Sequence, residues 1–187
     1  YNFRKYQINL IKKYLKKNII EVGPGQGGFV EYYKKFVKKI YLIEADRKLY
    51  KHLKKKFISK KIKVYNKMIS NVNGKFETII YFDVLEHIKN DLIEIKAAQK
   101  RLNKNGYLIF SVPAHQYFYN KFDKSVGHIK RYNKNDFINI EKKTGLKIEK
   151  LIYYDSIGFL FLILNKIFYL DEKNLNKCAK KIEQLTG

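Results

Sequence analysis

A glycine-rich turn between two short apolar runs constrains the fold of this chain more than any other feature. The first run, 18–22, is rich in β-branched residues and contains Glu21. The second run, 40–43, is followed by Glu44, about 20 residues after the first glycine. A strand, a glycine turn that opens a helix and an acid after the next strand predict a nucleotide-binding βαβ unit. The glycines of the turn are Gly23, Gly25, Gly27 and Gly28.

The turn is compatible with more than one ligand. Gly23-x-Gly25-x-x-Gly28 satisfies the dinucleotide fingerprint, so an NAD-dependent oxidoreductase is one alternative, and a glycine turn without a ligand is another. Glu21 favours a third, because an acid beside the turn would repel a pyrophosphate but attract an ammonium or a sulfonium. Glu44 would accept hydrogen bonds from both hydroxyls of a ribose. S-Adenosylmethionine carries an ammonium, a sulfonium and a ribose.

The turn resembles motif I of the class I S-adenosylmethionine-dependent methyltransferases, and later segments extend the resemblance over residues 1–155. Segment 76–88, with Asp83-x-x-Glu86-His87, is similar to the fourth strand and following turn of small-molecule members. Segment 100–113 is similar to the fifth strand, although its turn lacks the usual proline. Asp123-x-x-x-Gly-His-x-x-Arg-Tyr132 is similar to a bacterial branch of the family. The resemblance implies S-adenosylmethionine as cofactor and S-adenosylhomocysteine as product.

Apolar runs that alternate with helical patterns predict an α/β fold, and the resemblance implies the same one. This fold is a doubly wound, mainly parallel, Rossmann-like methyltransferase sheet with helices on both faces. After the last of the strands given below, no further β run follows that could form the family's closing seventh strand. We expect strands at 18–22, 39–43, 61–65, 77–82, 106–112 and 146–153. We expect helices at 9–17, 27–36, 46–57, 90–102 and 134–144, with Asn90 or Asp91 and Asn133 or Asn135 as N-caps.

The length fits a single domain, 1–187. The apolar stretch 157–170 is shorter than the roughly 20 residues of a membrane-spanning helix, so it predicts a packing helix or peripheral membrane contact. Cys178 is the only cysteine, which excludes an internal disulfide and favours a cytoplasmic location. The expected parts are an N-terminal helix or cap at 1–17, a cofactor-binding core at 18–112, an acceptor-side lid at 113–133 and a C-terminal part at 134–187.

The net charge of +23 raises the question of a nucleic-acid partner. Among the 40 basic residues only four are arginines, while asparagine, isoleucine and tyrosine are abundant, a bias typical of AT-rich coding sequences. Groups that contact phosphates and bases would include more arginine. The composition therefore favours a solvated basic surface over a nucleic-acid groove.

The resemblance implies cofactor contacts at the carboxyl ends of the first four strands. Glu21 would contact the methionine ammonium or order the glycine turn, and Glu44 would bind the ribose. The complete set is Glu21, Gly23, Pro24, Gly25, Gln26, Gly27, Phe82 and Asp83 around the methionine, Glu44 at the ribose, Ala45, Asp46, Lys67 and Met68 around the adenine, and Tyr6 as a cap.

Acceptor-side candidates follow the fourth and fifth strands. We expect His128 to be the general base, because imidazole titrates near neutral pH, and structural hydrogen bonding is the alternative. Arg131 would clamp a phosphate or carboxylate of the acceptor, or pair with Asp123. His87, His115 and Tyr132 complete the set. Four histidines and one cysteine show no ligand spacing for zinc, and no magnesium set of the catechol-methylating type is evident, so no metal is expected.

The sequence thus predicts an S-adenosylmethionine-dependent methyltransferase for a small-molecule, sugar or lipid-linked acceptor, with transfer at oxygen. An RNA adenine-N6 methyltransferase is an alternative that would share the segment from Glu21 to Gly25. That group reads N-[IL]-P-[YF] at the end of its fourth strand, where this chain has Tyr81-Phe-Asp-Val84. A non-catalytic nucleotide-binding domain is the remaining alternative, and the acceptor itself stays open.

Overall fold

The computed structural model describes residues 3–154 and residue 163, and its centre is a five-stranded parallel sheet. The strand order is β3-β2-β1-β4-β5. Strands β2 and β3 are therefore added on one side of β1, and β4 and β5 on the other, so the order of the strands reverses between β1 and β4. Ligands of open α/β sheets bind beyond the carboxyl ends of the strands at such a reversal. The strands are β1 (Asn18–Val22), β2 (Lys39–Ile43), β3 (Ile62–Tyr65), β4 (Phe76–Phe82) and β5 (Leu102–Ser111).

Helices alternate with these strands along the chain. The α-helices are α1 (Phe3–Ile11), α2 (Val30–Tyr33), α3 (Arg47–Lys56), α4 (Asp91–Arg101), α5 (Lys121–Ser125) and α6 (Lys134–Thr144). Short 3-10 turns occur at Lys12–Tyr14, Lys34–Phe36, Ile69–Asn71, Leu85–His87 and Gln116–Phe118. No helix in the described part of the chain is long and apolar enough to cross a membrane.

The sheet has an apolar core on each face, as the doubly wound prediction requires. Ile19 and Ile20 are adjacent in β1 and fully buried, and they belong to different clusters because side chains alternate across a strand. The Ile19 cluster contains Val30 of α2 and Leu53 of α3, whereas the Ile20 cluster contains Ala98 of α4. The α/β fold with helices on both faces is therefore confirmed.

Capping residues mark the starts of α3 and α6. The Asp46 carboxylate accepts hydrogen bonds from the backbone N–H groups of Lys48 and Leu49, each at 2.8 Å, at the start of α3. The Asp136 carboxylate accepts a bond from the Asn133 N–H at 2.7 Å, so the N-cap expected at Asn133 is confirmed. Asn90 precedes α4 but its side chain makes no capping bond.

The strand expected at 146–153 is wrong, since the described residues after α6 form none. The N–H groups of Leu146 and Ile148 instead bond to side chains of α6, the Thr144 hydroxyl at 3.2 Å and the Glu141 carboxylate at 2.8 Å. A backbone tied to its preceding helix cannot present these groups to a neighbouring strand.

Smaller corrections concern the ends of elements. The first helix begins at Phe3 instead of at position 9, and β5 begins at Leu102 instead of at 106. The helix expected at 27–36 is limited to one α-turn, Val30–Tyr33, and a 3-10 turn. Segment 157–170, except residue 163, and the place of a seventh strand lie outside the described residues, so the membrane contact stays a prediction.

Candidate active site

The carboxyl end of β1 holds a buried acid. The Glu21 side chain is 2 % exposed and accepts a hydrogen bond of 2.5 Å from the hydroxyl of Tyr33. Burial raises the pKa of Glu21 to about 7, although the bond from Tyr33 and the nearby charge of Arg4 oppose the shift. A cation bound here would stabilise the ionised carboxylate, which fits the predicted contact with an ammonium.

The glycines of the turn after β1 have different structural tasks. Gly23, Gly25 and Gly27 all have positive φ angles, of 64°, 56° and 72°. A Cβ at Gly23 would lie 2.9 Å from a methyl of Val84, and a Cβ at Gly27 would lie 2.5 Å from the ring of Phe57. A Cβ at Gly25 would meet no atom within 4 Å. Gly27 is therefore needed for packing against α3, whereas Gly25 borders the open space in which a ligand can lie.

The acid after β2 is held against the glycine turn. The Glu44 carboxylate accepts hydrogen bonds from the N–H groups of Gly25, at 3.2 Å, and Asp46, at 3.0 Å. The Asn66 side chain donates to the carbonyl oxygens of Glu44 and Ala45, at 2.7 and 2.9 Å. Each carboxylate oxygen keeps further lone pairs, so Glu44 can still accept bonds from a diol. Asp46 has a structural task besides the predicted one, since its carboxylate caps α3.

The predicted adenine side is an exposed rim. Lys67 and Met68 are exposed after β3, and Met68 is 52 % exposed. Ala45 is exposed as well, and Lys56 donates from Nζ to the carbonyl oxygen of Gln26 at 2.9 Å. Apolar surface at Met68 can cover a flat base, which agrees with its predicted task and does not test it.

Phe82 and Asp83 lie where β4 ends, beside the glycine turn. The Phe82 ring stacks on Phe29 with ring centroids 3.9 Å apart. Asp83 has a φ of 54°, and its carboxylate is 3.9 Å from the guanidinium of Arg4. Non-glycine residues with such angles are uncommon and often belong to functional sites. Tyr6 is partly buried in α1, and the centroids of its ring and that of Phe3 are 6.5 Å apart. Its contact with the cofactor stays a prediction.

A polar chain beside Asp83 was not predicted from the sequence. The hydroxyls of Tyr154 and Ser111 are 2.5 Å apart, and the buried Gln7 donates to the Tyr154 hydroxyl at 3.0 Å. Ser111 also donates to Asp83 at 3.4 Å. The only local signal was the position of Ser111 at the end of a strand, since Gln7 and Tyr154 are 147 positions apart in the sequence.

The predicted lid segment is a closed loop with its own ion pair. Ala114 and Tyr132 form a backbone bridge that brings the two ends of the segment together. Within it, Arg131 donates from Nε to both carboxylate oxygens of Asp123 at 2.9 Å, and both side chains are buried. Burial opposes ionisation, but the bonds from Arg131 and His128 hold the pKa of Asp123 below its usual value. The predicted pairing of Arg131 with Asp123 is therefore present in the structure, and a contact of Arg131 with the acceptor stays a prediction.

His128 is oriented by that ion pair. Its Nδ1 lies 2.8 Å from Oδ1 of Asp123, and its ring is 5.0 Å from the ring of His87. His87 Nδ1 lies 3.0 Å from the carbonyl oxygen of Gly127. The structure therefore brings two of the predicted histidines together. His115 instead stacks on Tyr153, with ring centroids 4.7 Å apart, and it has a positive φ of 63°.

A buried glutamate that the prediction omitted completes this group. Glu86 is 1 % exposed and lies in the turn after β4, and its Oε1 is 3.8 Å from Nε2 of His128. Burial raises the pKa of Glu86 to about 7, although the backbone of Glu86 itself opposes the shift, and the charge of Asp83 adds to it. The backbone also connects the turn to the loop, because Ile129 donates its N–H to the carbonyl oxygen of Glu86 at 2.8 Å. We call Glu86, His87 and His128 the acceptor-side group.

Comparisons with known proteins identify the family and the fold. A family model described as a methyltransferase domain matches residues 3–151. A proposed methyltransferase from Bacillus halodurans has a TM-score of 0.67 at 14% identity, covering 80% of this chain and 71% of its own. An S-adenosylmethionine-dependent methyltransferase proposed in Listeria monocytogenes has a TM-score of 0.63 at 16% identity, covering 80% and 87%.

A third structure was solved with the reaction product bound. Magnesium protoporphyrin IX methyltransferase from Synechocystis, with bound S-adenosylhomocysteine, has a TM-score of 0.61 at 15% identity, covering 78% of this chain and 71% of its own. At such identities the likeness concerns the fold.

Proposed function

The chain belongs to the class I S-adenosylmethionine-dependent methyltransferases, and we propose that it methylates an oxygen of a small-molecule, sugar or lipid-linked acceptor. The cofactor is S-adenosylmethionine, and the residues at the carboxyl ends of β1 and β2 fit it. The observation that supports an oxygen acceptor is the acceptor-side group, which gathers basic and acidic side chains beside Asp83. A hydroxyl has to lose its proton during methyl transfer, whereas a neutral amine can attack first and lose it later.

The chain's own residues position the reactants. Glu21 would pair with the methionine ammonium, Gly25 leaves room for the backbone to approach the ligand, and Glu44 would hold the ribose hydroxyls. Phe82 and Asp83 would border the methionine, because they lie at the carboxyl end of β4, at the edge that faces the glycine turn. Val84 packs against Gly23 and so holds the turn after β4 close to the glycine turn.

The chemistry requires little beyond positioning and proton removal. S-Adenosylmethionine supplies a methyl group on a positively charged sulfur that is a good leaving group. The acceptor hydroxyl gives up its proton, a lone pair of its oxygen forms the new bond to carbon, and the electron pair of the S–CH3 bond stays on sulfur. The products are a methyl ether and S-adenosylhomocysteine. In-line alignment of oxygen, carbon and sulfur is the protein's main contribution.

Calorimetric titration tests the cofactor half of the proposal. The protein should bind S-adenosylhomocysteine, and NAD should give no heat under the same conditions. Glu44→Ala removes a charged acceptor of hydrogen bonds, which contribute roughly 1.5–3 kcal/mol, so affinity should fall about tenfold to 150-fold. The matched control is Glu31→Ala, since Glu31 is a partly exposed glutamate paired with Lys34. Binding of NAD without a response to S-adenosylhomocysteine would overturn the assignment.

Product analysis tests the oxygen half. The protein is incubated with S-adenosylmethionine carrying a 13C-methyl group and a panel of hydroxylated acceptors that includes sugars and lipid-linked sugars. The chemical shift of the transferred methyl should be that of a methyl bound to oxygen. A signal of an N-methyl or C-methyl product would contradict the proposal while leaving the cofactor assignment intact.

A further inference from the structure

The ligating atoms of the acceptor-side group converge on one point. One carboxylate oxygen of Glu86 and one ring nitrogen each of His87 and His128 all lie within 4.8 Å of one another. Glu86 and His87 lie in the 3-10 turn after β4, while His128 is brought in by the loop closed at Ala114 and Tyr132. We infer that Glu86, His87 and His128 form a binding site for a divalent metal ion beside the methyl acceptor.

The carboxylate of Glu86 is the second observation that indicates a ligand. It is 1 % exposed, and neither of its oxygens has a hydrogen-bond partner among the described residues. A buried polar group without a partner costs about 1–3 kcal/mol, and more when it is charged. Buried charges in proteins are paired or coordinate metals. A cation between Glu86 and the two rings would give this carboxylate a partner of opposite charge.

The hydrogen bonds of the histidines leave one nitrogen of each ring available. A carbonyl oxygen can only accept, so Nδ1 of His87 carries the proton that it donates to Gly127. Nδ1 of His128 likewise donates to the Asp123 carboxylate. In the neutral rings the lone pair is therefore on Nε2, and Nε2 of His128 is the atom 3.8 Å from Glu86. Metal-binding histidines characteristically donate their other ring N–H to a carboxylate or a backbone carbonyl.

The donor set determines which ions fit. Two imidazole nitrogens and one carboxylate suit Mn²⁺, Fe²⁺ or Zn²⁺ better than Mg²⁺, which prefers oxygen ligands. Three protein ligands leave coordination positions open for an acceptor oxygen. A cation at this point would withdraw electron density from an acceptor hydroxyl, whose proton would then leave to water more readily. This use of the site rests on the proposed function, and it gives His128 the task of a ligand.

Direct metal binding tests the inference without a methylation assay. MnCl2 is titrated into the purified protein, and free Mn²⁺ is followed by electron paramagnetic resonance, with ZnCl2 and MgCl2 as competitors. The protein should remove the free signal at one ion per chain, and Zn²⁺ should displace it more effectively than Mg²⁺. Glu86→Gln and His87→Gln should each raise the Mn²⁺ dissociation constant by at least about tenfold.

Control experiments distinguish a loss of metal binding from a loss of folding and from a loss of cofactor binding. His52→Gln changes an exposed histidine of α3 and should leave Mn²⁺ affinity unchanged. Glu86→Gln keeps the size of the side chain and removes a buried charge, and His87 is exposed, so at least one variant should remain folded by circular dichroism. Each sample is also titrated with S-adenosylhomocysteine.

Absence of Mn²⁺ and Zn²⁺ binding in a protein that binds S-adenosylhomocysteine would overturn the metal site alone. Equal Mn²⁺ affinity in the wild type and both folded variants would also overturn it, because the ion would then bind elsewhere. Metal binding without any response to S-adenosylhomocysteine would instead contradict the proposed function.

Discussion

Glu21 shows how one buried side chain can connect ligand binding to pH. Its pKa of about 7 results from burial, which disfavours the charged form, against a hydrogen bond from Tyr33. In the unfolded chain the same group would ionise near its ordinary value of 4.5. The folded protein therefore holds a proton between pH 4.5 and 7 that the unfolded chain has lost, so this group makes the free protein less stable as pH rises through that range.

We predict that affinity for S-adenosylhomocysteine falls as pH is lowered below 7. The bound ammonium should lower the pKa of Glu21, so binding requires loss of the proton that the free protein holds below about pH 7. The dissociation constant should rise by up to about tenfold per pH unit between pH 7 and 5.5, and be nearly constant from pH 7 to 8. Calorimetry across this range measures it. Glu21→Gln is the control, and it should bind weakly and without this pH dependence. A wild type whose affinity is constant down to pH 5.5 would place the ammonium elsewhere.

At the scale of elements, the glycine turn after β1 serves both packing and binding. Gly27 faces α3, where a Cβ would lie 2.5 Å from the Phe57 ring and 2.9 Å from Leu53. Gly25 faces open space, and its N–H bonds to Glu44. The backbone angles are similar, so the difference between the two positions lies in what surrounds them.

We predict that Gly27→Ala mainly lowers the stability of the fold, whereas Gly25→Ala mainly lowers the affinity for S-adenosylhomocysteine. Both variants pay about 1–2 kcal/mol for a left-handed alanine. Gly27→Ala adds overpacking of about 1–3 kcal/mol, so it should lose more stability in a urea titration. Gly25→Ala should lose less stability but more affinity for S-adenosylhomocysteine, because its methyl enters the ligand's space. Equal losses of stability and affinity in the two variants would contradict this division.

The loop between Pro113 and Asn133 is held by hydrogen bonds between its ends and by a buried ion pair. Such connections usually have about 2–6 residues, and this one is longer. Its two ends are joined by hydrogen bonds, from His115 N–H to Tyr132 O at 3.0 Å and from Tyr132 N–H to Pro113 O at 2.9 Å. The buried pair of Asp123 and Arg131 then fixes the part of the loop that presents His128.

At the scale of the whole molecule, charge is the dominant feature. The chain has 40 basic and 17 acidic residues, so at most 17 basic side chains can each have an acid of their own and the excess is 23. Like charges at this density repel one another and destabilise the compact state. The surface pairs, such as Lys34 with Glu31 at 2.6 Å, contribute little in water.

We predict that salt stabilises the protein. The Debye length falls from about 30 Å at 0.01 M ionic strength to about 10 Å at 0.1 M, so salt screens most of the repulsion between exposed lysines. The melting temperature should rise by several degrees between 10 and 300 mM NaCl, as measured by scanning calorimetry in the absence of nucleic acid. KCl should give the same rise, because screening depends on ionic strength and not on the cation. A melting temperature that is constant or falls with salt would show that repulsion between like charges does not lower the stability of the folded protein appreciably.

Local patterns determined the architecture and the cofactor side of the site. The strands β1 and β2 begin and end where the apolar runs predicted, and Gly23, Gly25 and Glu44 lie together because a βαβ unit places consecutive strand ends at one edge. These features depend on residues close in sequence and on a topology with few alternatives. The histidines 87 and 128 were also recognised, by residue type and by resemblance.

Tertiary packing decided the partners of those residues. Hydrophobic periodicity does not predict which side chains form hydrogen bonds with each other. It therefore gave no sign of the bond from Tyr33 to Glu21, of the bond from Arg131 to Asp123, or of the path of the chain after α6. The acceptor-side group could not be assembled from the sequence, because Glu86 and His128 are brought together by a loop whose ends meet at Ala114 and Tyr132. The sequence likewise does not show that the Glu86 carboxylate is buried without a hydrogen-bond partner among the described residues, because burial depends on contacts between distant segments.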